Sequence, residues 1–222
     1  MDTEDSGKHY SRILFASKEL SSQTEDNLRF LDRPILITGE PEILSTPNGK
    51  ECFLDSLRLG SKICRNVSVE VPSNLKHLQD EARSLASQIA FGKEICFVLD
   101  SPIYPNYAAI LNVGCNVRSD LPWTTINCQG WLARVSSVDK NLPPECDRWN
   151  PIAALAASSL GIADVFKRLI KIKASRAKLF SGLSFSLFSY TVQEVDDGPV
   201  LPCSLNIQQI ALIAFGRKIF VN

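Results

Sequence analysis

Three residues in the first third of the chain, Gly39, Lys50 and Glu70, have types and spacing that could bind a nucleotide. Gly39 closes the apolar run Ile35-Leu36-Ile37-Thr38. In a Rossmann unit this is where the first strand turns into a helix whose amides hold phosphate. A glycine there lets the backbone approach the phosphates, and the longer excursion to Gly49 and Lys50 can present further amides and a cation. Glu70 lies at the end of the alternating run Val67, Val69 and Val71, where an acid holds the ribose hydroxyls. The turn itself has the wrong chemistry for a triphosphate. In Thr38-Gly39-Glu40-Pro41-Glu42-Ile43 only one glycine of G-x-G-x-x-G is present. Glu40 and Glu42 put negative charge where phosphate must sit, and Pro41 removes an amide donor. These residues read as a degenerate nucleotide site.

Other chemistry finds little support. The seven cysteines, Cys52, Cys64, Cys96, Cys115, Cys128, Cys146 and Cys203, form no CxxC pair and read as reduced thiols of a cytoplasmic protein. Cys115 and Cys128 sit in apolar contexts and read as core, while Cys146, beside Pro144 and Glu145, reads as a solvent-facing thiol. With only His9 and His77, neither near a paired Ser or Cys, a zinc site and a catalytic triad are both unsupported. Asp100, after Phe97-Val98-Leu99, reads as a cap or turn residue. Hydrophobic residues make up 45 % of the 222 positions, enough for a sizeable core. Lys+Arg and Asp+Glu are 24 each, so the chain has no electrostatic footprint for nucleic acid or an anionic membrane. The N-terminus is polar and acidic, unlike a signal peptide. The apolar run 152–170 is broken by Asp164 and Lys167 and is too polar to span a bilayer.

The elements that must position these residues follow from periodicity and breakers. Helix formers fill 17–31, with Leu20, Leu28 and Leu31 inward, and stop before Pro34. Ile35-Leu36-Ile37 is the first strand, and Pro41, Pro47 and Asn48-Gly49 mark a loop. Phe53, Leu54, Leu57 and Cys64 recur at helical spacing over 50–64. Ser73 caps a helix over 74–90 with Leu75, Leu78, Ala82, Leu85 and Ile89 on one side. Residues 94–99 read as a strand buried on both faces, and 108–113 as another. Two strand pieces in 124–136 hinge at Gly130. Asn150-Pro151 starts a helix packed on the sheet through Ile152, Leu155, Ile162 and Phe166. Residues 183–191 have strand character. Alternating strands and helices give an α/β fold: a Rossmann-like, doubly wound, mainly parallel sheet with flanking helices.

Several segments resemble the ThiF/MoeB/HesA superfamily, the adenylating enzymes that activate ubiquitin-like proteins. Tyr10-Ser11-Arg12, an amphipathic segment and a strand ending in Gly39 resemble the family's opening. Val69, Glu70, Ser73, Asn74 and Leu75 echo its V-E-x-S-N-L-N-R-Q, with Pro72 inserted and His77 near the arginine that contacts ATP phosphates. Gly130-Trp131-Leu132-Ala133, Asn150-Pro151 and Asp164-Val165-Phe166-Lys167 resemble its later part. The resemblance covers roughly 10–40 and 108–170, and is greatest to the N-terminal, inactive half of bacterial two-domain activating enzymes. The family's magnesium-binding aspartate and thioester cysteine have no counterpart here.

The resemblance implies a non-catalytic adenylation-type domain that supports an active ThiF-like half or subunit, with a ubiquitin-like modifier as a further partner. No cofactor is expected for this chain, although the intact family enzyme uses ATP. The other readings are a nucleotide-binding adenylyltransferase or dehydrogenase with a divergent phosphate loop, using Gly39, Lys50 and Glu70, and a binding module without ligand chemistry. Residues 1–9 read as a disordered tail and 10–195 as the Rossmann-like domain. Residues 196–222 read as a linker and the start of a truncated second domain, or as a segment whose residues 207–213 dock back as an edge strand.

Overall fold

The computed structural model describes residues 29–89, 95–98, 102–144, 148–172, 177–196 and 198–201. The expectations for 1–28, Asp100, Cys146 and 202–222 lie outside them. Seven strands form one sheet: β1 (Ile35–Gly39), β2 (Val67–Glu70), β3 (Cys96–Val98), β4 (Ala109–Val113), β5 (Trp123–Gln129), β6 (Leu132–Ser136) and β7 (Leu183–Ser186). Their order is β3-β2-β1-β4-β5-β6-β7. The first five run parallel, while β6 returns antiparallel from β5 through Gly130 (φ +53°) and β7 pairs antiparallel with β6. This is the expected Rossmann-like architecture. The chain steps outward from β1 to β3, crosses back and continues from β4, so a crevice opens at the carboxyl ends of β1 and β4.

Side chains alternate across the strands and divide the molecule into two layers. Ile35 and Ile37 of β1, with Ala109, Leu111 and Val113 of β4, join the helices in one core. Leu36, Ile110 and Trp123 form a smaller cluster against Tyr104, Tyr107 and Leu121.

The segment 41–49, expected as a loop, is instead helical: α1 (Pro41–Leu44) and the start of α2 (Pro47–Ile63). Each proline stands at a first helical position, where its missing N–H costs nothing because that group has no partner in the helix. Thr46 caps α2 by accepting from the Gly49 amide at 3.0 Å. Helix α3 (Lys76–Ile89) begins two residues later than expected, after a turn in which the Leu75 amide bonds the Pro72 carbonyl at 2.9 Å. It buries Leu78 and Ala82 on the expected side, together with Ala86.

Helix α4 (Pro151–Leu169) has the expected cap: Asn150 Oδ1 accepts from the amides of Ile152 (3.0 Å) and Ala153 (3.4 Å). Its inner face, however, is rotated from the one expected. Ala153, Ala154, Ala157, Ser158 and Gly161 are buried, while Ile152 and Leu155 face outward. The cause is close approach. A Cβ on Gly161 would lie 2.6 Å from Ile126 Cγ2 and 2.7 Å from Leu111 Cδ1, so only small side chains fit beneath this helix. Ile162 is buried as expected; Phe166 is half-buried, edge-to-face with Phe30 at 5.8 Å between centroids.

Two strands also differ. Among the described strands β3 stands at the edge of the sheet with Cys96 exposed, so double-sided burial fails there. β7 ends at Ser186 and the chain doubles back, with the Ser186 amide bonded to Thr191 O and the Gln193 amide to Ser184 O.

Thiol burial gives a direct test of this packing. Cys52 and Cys128 are fully buried with their Sγ atoms 3.7 Å apart, and burial pushes the Cys64 thiol up to about 12. Only the thiolate is nucleophilic. An aromatic disulfide reagent at pH 8, read by peptide mapping, is expected to modify Cys96 in the folded protein and to spare Cys52, Cys64 and Cys128. Labelling of Cys64 as fast as Cys96 would contradict the assigned core.

Candidate functional site

The crevice between the ends of β1 and β4 is the position at which this fold takes ligands. From β1 the chain enters the short helix α1 through Glu40, whose amide bonds Val113 O at 2.9 Å and so holds the turn against β4. Gly39 is needed because the Leu44 side chain of α1 closes over it, within 2.7 Å of where a Cβ would stand. Glu40 precedes α1 but makes no side-chain cap bond to it. Its carboxylate turns across the crevice instead. Glu40 Oε1 accepts from the backbone amides of Cys115 (3.0 Å) and Asn116 (2.8 Å), from Asn116 Nδ2 (3.0 Å) and, at 3.4 Å, from Asn112 Nδ2.

These donors converge because the loop after β4 is pinned. Asn116 O accepts from Thr125 Oγ1 (2.6 Å) and Trp123 Nε1 (3.2 Å), and the Gly114 amide bonds Ile126 O. Gly114 leaves room for this carboxylate, since a Cβ there would meet Glu40 Oε1 and push the side chain aside. Successive amides in a turn make an anion-binding concavity. Here the anion is the protein's own carboxylate.

Glu70, at the end of β2, is on the same rim. Thr38 Oγ1 donates to Glu70 Oε2 at 2.7 Å, tying the acid to β1. Tyr104 lies beside it: burial raises the phenol's pKa, the Glu70 charge raises it further, and Arg118 opposes both. Arg118 stacks over Tyr104 (5.0 Å) and Trp123 (5.5 Å). The fold therefore gathers Gly39 and Glu70 but not Lys50. Lys50 points from α2 toward α3 and pairs with Glu81 at 2.8 Å, and Glu81 also faces the exposed His77 at 3.5 Å. The Lys50–Glu81 pair crosses an open cleft of about 320 Å³ between α2 and α3 that is lined by both signs of charge, including Glu51 and Arg58.

Chemically, this arrangement fixes a negative charge at the β1–β4 crevice and brings no cation to it from Lys50, which pairs with Glu81. A second unit charge 4 Å from a carboxylate is repelled by about 4 kcal/mol at a surface-like effective dielectric. Among the described residues no group of three or more His, Cys, Asp or Glu could hold a metal ion, and no helix is long and apolar enough to cross a membrane.

A family model described as the BilD N-terminal domain matches residues 34–183. The chain belongs to that family. No curated protein matches it. The BilD N-terminal domain match opens one residue before β1 and closes on the first residue of β7. Glu40, Glu70, Tyr104, Asn112, Cys115, Asn116 and Arg118 all fall inside it.

Sequence reasoning singled out the acid at position 40 but missed its partners. Gly114-Cys115-Asn116, directly after an apolar strand, was the available signal. A glycine and an asparagine at a strand end mark the turn chemistry that presents amides.

Proposed function

We propose that this BilD N-terminal domain is a non-catalytic, adenylation-type half of a ubiquitin-like-protein activation system. It supports an active ThiF-like half, in a cytoplasmic setting, and its own nucleotide position is closed. The observation that carries this reading is the Glu40 carboxylate in the amide cradle at the β1–β4 crevice. The Rossmann strand order and the ThiF-like segments noted in the sequence add to it. An anion already seated among those amides fills an anion-binding concavity at the crevice from within the chain.

The expected result is no tight binding of Mg-ATP by the isolated chain. Calorimetry tests it: a dissociation constant below about 10 μM, roughly −7 kcal/mol, would overturn the reading. Co-purification with a ThiF-like partner tests the supporting role separately. The alternative of a nucleotide-binding adenylyltransferase or dehydrogenase draws on Glu70, which keeps the position of a ribose-binding acid beside Gly39. Tight ATP or NAD binding by the isolated chain would favour it.

A further inference from the structure

Two buried thiols form a pair that only the fold brings together. Cys52, on α2, and Cys128, on β5, are both reduced and have no exposed surface. Their Sγ atoms are 3.7 Å apart, near van der Waals contact, although 76 residues separate them along the chain. The backbone beneath each sulfur is fixed. The Cys52 carbonyl accepts from Ser56 Oγ at 2.6 Å and from Ser158 Oγ, on α4, at 2.9 Å. Cys128 is held in the ladder of β5 opposite Ala133 of β6. The sheet and two helices therefore meet at these sulfurs.

The approach is nearly that of a bonded pair. Disulfide sulfurs stand about 2.05 Å apart, so each has to move by less than about 1 Å. Cys52 Sγ also lies 3.7 Å from Ala154 O, a weak contact that costs little to give up.

We propose that Cys52 and Cys128 are a redox couple, closed to a disulfide by a small hydroperoxide, that locks α2 onto the sheet. One sulfur, as the thiolate, attacks a peroxide oxygen and the O–O bond breaks. A sulfenic acid forms, and the departing hydroxide takes up the thiol proton as water. The second sulfur then attacks the sulfenic sulfur, the S–O bond breaks, and its proton leaves with the hydroxyl as a second water. The two thiols lose two electrons and two protons, and hydrogen peroxide is reduced to two waters. Burial shields both sulfurs from a bulky aromatic disulfide, whereas a peroxide of two heavy atoms enters on local opening. The adjoining thiol captures the sulfenic acid before it is oxidised further. The link would close a loop that carries β2, α3, β3 and β4, and so restrict the unfolded chain. The proposal is independent of the adenylation reading, since it involves no residue of the nucleotide crevice.

Hydrogen peroxide treatment of the full chain, below its unfolding transition, tests the couple. The treated protein is unfolded with an alkylating agent present and mapped without reductant. A peptide carrying residue 52 is expected joined to one carrying residue 128, two hydrogens lighter than their sum, and separable by reduction. The linked protein is expected to unfold at a higher urea midpoint than the reduced one. Alkylated Cys52 and Cys128, recovered after the exposed Cys96 has been oxidised, would overturn the proposal. So would either of them joined to a different cysteine, or oxidised past the sulfenic stage without a link. A Cys128→Ala variant guards against a general effect of peroxide on stability. There the rise in midpoint is expected to vanish, and an equal rise would sink the lock. Should the variant not fold, the map of the unsubstituted chain decides alone.

Discussion

Replacing Asp164 by alanine is expected to lower the unfolding free energy by about 3–5 kcal/mol, the cost of removing one partner from a buried ion pair. Asp164 is fully buried on α4. It pairs with Lys167 one turn on (2.7 Å) and accepts from Ser137 Oγ (2.7 Å) and the Phe180 amide (2.8 Å). One carboxylate thus ties α4 to the exit of β6 and to the chain entering β7. Without it, the Lys167 ammonium keeps the Lys178 carbonyl and the Phe180 ring as neighbours but loses its counter-charge. Arg168 is affected too. Burial lowers its pKa, the Asp164 charge opposes that shift, and its Nη2 donates to Trp123 O and Ser137 O. Urea unfolding is the measurement. Asp164→Asn keeps an acceptor and should cost less than alanine, and a loss under about 1 kcal/mol for alanine would mean that water already solvates the pair.

The second large effect is in the apolar core. Phe53, on α2, is fully buried beneath the sheet. Phe53→Ala removes most of a ring from a close-packed layer and leaves a cavity, with an expected cost of about 3–5 kcal/mol. The denaturation midpoint should fall while the slope with denaturant stays constant, since the same surface is exposed on unfolding. A change in slope would point to altered compactness in one state, and the simple cavity account would then fail.

Much of the scaffold is legible in the sequence, for local reasons. The strands β1, β2 and β4 are β-branched or apolar runs bounded by Gly, Pro or polar residues, and Asn150-Pro151 states a helix start outright. What misleads is chemistry with two meanings. Pro41 and Pro47 break a helix from within but begin one from its first position, and here each begins one. The face of α4 was misread because size usually marks the buried side. Beneath this helix the sheet approaches so closely at Gly161 that size is excluded, and the large residues turn out. The candidate site was half legible. Glu40 is conspicuous where a phosphate loop is expected, but the amides that receive it lie 75 and 76 residues further on. Only the pairing of β1 with β4 brings them within reach. Lys50 failed as a site residue for a similar reason, because its partner Glu81 comes from a helix whose packing angle no local pattern reports.

The Glu40 cradle also has a thermodynamic meaning. A nucleotide-binding domain ordinarily borrows stability from its ligand, gaining more as ligand concentration rises above the dissociation constant. Here the counter-anion is part of the covalent chain, present at an effective concentration that dilution cannot change. The amides of Cys115 and Asn116 at the β1–β4 crevice are therefore satisfied from within the chain, by a group that cannot dissociate.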